Sequence, residues 1–133
     1  MTRFAIDPTV LLRLAREGRS PHSSHQLVAT NALRSRALEL LLEEVRAGRV
    51  DEREALEVHE VMTGIKVRLL GDRVSRRTAW DLARRFDWDA LADAECLAVA
   101  KLQADALVTL DTDLAAKAAD VIPLALYEVL FTA

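Results

Sequence analysis

The run at 106–110 (ALVTL) is unbroken, apolar and β-prone. Runs of this kind belong to strands buried on both faces, as in parallel sheets covered by helices. Asp111 follows at once and opens a helical pattern to about residue 119. The same order appears at the start of the chain. FAID at 4–7 reads as a strand, Pro8 suits a first helical turn, and Val10, Leu11, Leu14 and Ala15 share one helical face.

Between these units the pattern repeats. GRSPHSSHQ at 18–26 has turn residues and no period, so it reads as a loop. Residues 27–29 suggest a second strand. Thr30 or Asn31 is the expected cap of a helix to about residue 47, with Leu33, Ala37, Leu40, Leu41 and Val45 as its apolar stripe. Asp51 is expected to cap the next helix, 67–70 to form a strand, and 74–86 and 91–103 to form helices. Residues 121–124 are predicted as a last strand, confined to an edge by Pro123. Strands alternating with helices predict an α/β fold: a three-layer α/β/α sandwich with a central, mostly parallel sheet. With 133 residues, 51% of them hydrophobic, and no linker, repeat or low-complexity tract, one domain over 1–133 is expected.

Several function classes fall away. The glycines form neither a dinucleotide fingerprint nor a Walker loop. No apolar run reaches the roughly 20 residues of a spanning helix, and Asp7 interrupts any leader-like stretch. Cys96 is the single cysteine, so an internal disulfide is excluded, which fits a cytoplasmic setting. Cys96 also lacks a histidine partner for nucleophilic work and reads as a core or boundary residue. His22 and His25 are spaced H-x-x-H but lack further ligands for zinc, and read as loop residues. Asp111-Thr-Asp113 imitates a D-x-D phosphatase motif, but only 20 residues follow it, too few for the rest of such a sheet.

The acids are the informative residues. Asp7 and Asp111 each close a predicted strand, and Asp93 lies near the start of a helix. In open parallel sheets, ligands bind beyond the carboxyl ends of strands, near a switch in strand order. Carboxylates gathered there repel unless a proton or a cation neutralises them, and oxygen-only ligands suit Mg²⁺ or Mn²⁺. The competing explanation is that Asp7 and Asp111 are helix caps. The residues alone leave the two open.

FAIDPTVLLRL at the start, LADAECLAVA in the third quarter and ALVTLDTDLA near the end, in this order and over this length, resemble a PIN domain. The likeness is to the small VapC-type toxins of bacterial toxin–antitoxin pairs, and it covers essentially the whole chain. It implies the same sandwich and a ribonuclease dependent on Mg²⁺, or Mn²⁺, held by a quartet of acids. By resemblance, Asp7, Asp93 and Asp111 are catalytic and metal-binding. Asp113 matches an accessory metal position, and Thr109 a hydroxyl residue two before the last acid. An RNA substrate, a protein antitoxin and a homodimer are implied as partners, with no membrane role.

One position departs from the pattern. Arg36 stands where the family usually has a glutamate. Glu39 lies one turn on and Glu43 another. Three accounts follow: Glu39 substitutes for the missing acid, three carboxylates suffice, or Arg36 takes the cation's place and leaves a binding module without activity. Glu43 and Glu44 read as an ordinary charged face.

Charge is uneven. Residues 66–85 hold seven basic and two acidic side chains, while 86–133 hold two basic and nine acidic. Arg73, Arg76, Arg77 and Arg84 are RNA-contact candidates, set against a solvated face partly paired with Asp72 and Asp81. Trp80 and Trp88 are expected to pack in the protein rather than stack on bases.

Overall fold

A computed structural model describes residues 1–133. The chain runs β1 (Thr2–Ile6), α1 (Pro8–Glu17), β2 (His25–Thr30), α2 (Leu33–Arg46), α3 (Glu52–Thr63), β3 (Arg68–Leu70), α4 (Arg73–Phe86), α5 (Leu91–Gln103), β4 (Ala106–Val108), α6 (Thr112–Ala118) and a closing 3₁₀ turn (Tyr127–Phe131). The four strands form one sheet in the order β3-β2-β1-β4, and every pairing is parallel. The fold is therefore an α/β/α sandwich, as the alternation of elements predicts.

Strand periodicity divides the core. Phe4, Ile6, Leu27, Ala29 and Val108 face the layer built by α1, α2 and α3. Ala5, Val28 and Leu107 face α4, α5 and α6. Successive strand residues point to opposite faces, so one sheet serves two apolar clusters. Burial on both faces explains why the strands read as continuous apolar runs.

The chain moves outward from β1 to β2 to β3, then returns to place β4 on the other side of β1. The order thus reverses between β1 and β4. Their register pairs Ile6 with Val108, so the residues leaving the two strands, Asp7 and Thr109, emerge side by side.

Several expected boundaries shift for local reasons. β4 stops at Val108, because Thr109 and Asp111 turn their polar groups to a cap and a neighbouring strand end. Residues 121–124 form no strand; Leu124 makes only an isolated bridge to Leu107, next to Pro123, which has no amide hydrogen to donate. Neither Thr30 nor Asn31 caps α2. Thr30 ends β2, and the Asn31 amide donates to the Leu70 carbonyl. His25 is not in a loop but begins β2, with its ring edge against Phe4. The terminal turn was not foreseen. It is held by Tyr127, which donates to Glu17, and by Arg19, which lies over Phe131 and pairs with Glu128. No helix is long and apolar enough to cross a membrane.

Candidate active site

Asp7 is the N-cap of α1: its carboxylate accepts from the Val10 amide at 3.2 Å. It is also buried, at 3% exposure. Two hydroxyls hold it further: Thr9 donates to Oδ1 at 2.7 Å and Thr109 to Oδ2 at 2.9 Å. Burial pushes the Asp7 pKa above the ordinary aspartate value. The hydrogen bonds from Thr9, Thr109 and Val10 pull it back, and the nearby charge of Asp111 raises it again.

Asp111 is likewise a cap. One carboxylate oxygen accepts from the Asp113 and Leu114 amides at 2.9 and 3.2 Å. Its own amide donates to Thr109 Oγ1 at 3.0 Å, so Thr109 links the two acids. Both caps foreseen from sequence exist, and both belong to residues that face a common cleft. The cap and site readings are compatible.

That cleft, of about 260 Å³, lies at the carboxyl ends of β1 and β4, where the strand order reverses. It gathers Asp7 and Asp111, the N-caps of α1 and α6, with Asp93 from α5 and Arg36, Glu39 and Glu43 from α2. Asp93 sits in the first turn of α5 and accepts from Lys117 Nζ at 2.9 Å. Glu44 turns away and pairs with Arg16 on the outer surface.

Asp113 does not line the cleft. It is largely exposed, and its carboxylate faces Lys117 at 3.2 Å. Asp113 pairs i, i+4 with Lys117 along α6, and the same ammonium reaches Asp93. Arg36 does line the cleft, and it forms no ion pair with any acid there.

Cys96 also borders the cleft. Burial pushes its thiol pKa up to about 12; Asp7, Asp93 and Asp111 add to the rise, and Arg36 opposes it. A thiol so placed stays protonated at neutral pH and is a poor nucleophile.

Sequence reasoning missed Thr9 and Lys117. The signal for Thr9 was its place two residues after a capping aspartate. The signal for Lys117 was its spacing four residues after Asp113 on one helix.

No three histidine, cysteine, aspartate or glutamate side chains stand close enough to form a ready metal cage. Mg²⁺ needs less, since it is commonly held by one or two carboxylates and keeps several waters. Asp7 and Asp111 suit it, because they share one cleft and neither has a cationic partner. Asp93 has one in Lys117.

No protein-family model matches the sequence, and no curated protein matches it. Among solved structures, the crystal structure of PAE2754 from Pyrobaculum aerophilum is similar, with a TM-score of 0.69. The two are 24% identical, and the match covers 97% of this chain and 93% of that one. This likeness establishes the fold.

Proposed function

We propose that the chain is a metal-dependent endoribonuclease of the PIN type, the toxin of a toxin–antitoxin pair. The observation that carries the reading is the meeting of Asp7, Asp93 and Asp111 in one cleft although they are far apart in sequence. Asp7 and Asp111 would hold Mg²⁺ or Mn²⁺, with Asp93 beside them. When bound, such an ion neutralises charge on a phosphodiester and acidifies a water.

The chain's own groups supply the rest. Thr9 and Thr109 fix the Asp7 carboxylate, so its oxygens keep one direction. Lys117 donates to Asp93 Oδ2 at 2.9 Å and so aligns that carboxylate. Arg36, free of ion pairs and exposed, is suited to take a non-bridging phosphate oxygen of RNA. Arg36 thus acts on substrate, and Glu39 shares its wall of the cleft. A homodimer, a protein antitoxin covering the cleft and a cytoplasmic setting complete the proposal.

A second reading is favoured by the same arginine. With Arg36 in place of an acid and no ready metal cage, the domain would bind RNA or a protein without cutting. The test is incubation of the purified protein with structured RNA and Mg²⁺ or Mn²⁺, with and without chelator, beside Asp7→Asn. The enzyme reading expects metal-dependent cleavage by wild type alone. RNA retention without cleavage under either metal overturns it in favour of the module.

A further inference from the structure

We infer that the outer face of α4 is a single-stranded RNA platform on which Trp80 stacks a base. This deepens the ribonuclease reading and rests on its choice of RNA. α4 buries Ser75, Ala79, Leu82 and Ala83. Its opposite face presents Arg73, Arg76, Arg77, Trp80 and Arg84, all exposed. Positions 73, 77, 80 and 84 fall on one helical stripe, and 76 borders it. From Arg73 to Arg84 the stripe runs about 16 Å.

Trp80 does not pack, contrary to the expectation from sequence. It is 56% exposed. The chain has six aromatic side chains of the Phe, Trp and Tyr types. Five are engaged by another ring: Phe4 by His25, Phe86 and Trp88 by each other, Tyr127 and Phe131 by each other. Trp80 has no ring partner, and no cation lies over it. An exposed indole face of this kind is costly in water and available to a π-system.

The surroundings select the partner. Along the stripe Arg77 is paired, with Asp81 at 3.1 Å, while Arg73, Arg76 and Arg84 form no ion pair. A second copy of the chain, docking face to face, would set arginines against arginines. A protein partner would want an apolar centre around the tryptophan, but its neighbours on the stripe are cations. Cations that track a backbone, with an aromatic between them, are the arrangement that binds single-stranded nucleic acid.

The position also fits. α4 begins just after the carboxyl end of β3, the same end of the sheet as the cleft, and packs along α5, which carries Asp93.

The test uses a short oligouridylate and the whole chain in chelator, so that cleavage does not intervene. Binding is expected to quench indole emission in wild type. Trp80→Phe should abolish the quench, leaving the emission of Trp88. Trp80→Ala should weaken binding about tenfold, the usual scale for losing one stacked base. Arg76→Ala and Arg84→Ala should weaken binding and flatten its salt dependence. These side chains are exposed, and circular dichroism checks that each variant folds. Unchanged affinity and persistent quenching in the Trp80 variants overturn the inference. So does wild type that binds no oligouridylate but self-associates, or holds an acidic protein, through Trp80. The two readings can fail separately. Cleavage by wild type without any Trp80 effect sinks only the platform; quenching through Trp80 without metal-dependent cleavage sinks only the nuclease.

Discussion

Thr109 donates its hydroxyl to the Asp7 carboxylate at 2.9 Å, across 102 positions of sequence. The same oxygen accepts from the Asp111 amide. One hydroxyl thereby fixes the spacing of two acids that leave neighbouring parallel strands, Ile6 pairing with Val108 just before them.

Thr109→Val removes this link while keeping the side chain's shape. It leaves the Asp111 amide without its acceptor and Asp7 Oδ2 without its donor. A loss of roughly 1–3 kcal/mol in stability is expected, the usual cost of stranding a partly buried polar group. The Asp7 pKa should rise further, since the Thr109 bond lowers it. Urea denaturation checks the first effect and carboxyl NMR titration the second.

Arg36→Glu turns a cation at the cleft wall into an acid. Metal affinity should rise by about fivefold or more, on the order of 1 kcal/mol for altering charge near a solvent-exposed site. RNA affinity in chelator should fall. Calorimetric titration with Mn²⁺ reads the first change and filter binding the second. Unaltered metal affinity would remove residue 36 from the site.

Tyr127 offers a clean pH test, because it is the single tyrosine. Burial, with the hydrogen bond to Glu17 next, pushes its pKa up to about 12 from an ordinary 10.0. The folded chain therefore holds this proton more tightly than the unfolded chain. The resulting stability is complete below pH 10 and is lost as pH rises towards 12. Tyrosinate absorbance should appear later in the native protein than in denaturant. Tyr127→Phe should remove this contribution to alkaline destabilisation.

Much of this arrangement was legible in the sequence. The strand–helix alternation gave the layers, because apolar runs closed by acids have few other uses. Asp7 and Asp111 could be placed at strand ends, and the reversal of strand order between β1 and β4 brought them together. What was not legible depended on side chains choosing partners across the fold. Asp113 looks equivalent to Asp111 in sequence, but its side chain is exposed and pairs with Lys117, while Asp111 caps α6 at the cleft. Trp80 looks like core by residue type, yet the buried face of α4 is filled by Ala79, Leu82 and Ala83, which leaves the indole outside. Residues 121–124 look like a strand, but they form only one bridge to β4.

The central proposal is that Asp7 and Asp111 hold one divalent ion, with Asp93 beside them in the same cleft. Titration of Mn²⁺ into the protein, with free ion followed by its paramagnetic resonance signal, addresses it directly. Wild type should remove free Mn²⁺ saturably, and Asp7→Asn should bind at least about tenfold more weakly, since even residues supporting a metal ligand commonly cost that much. Equal uptake by the two proteins, or none by either, would contradict the proposal.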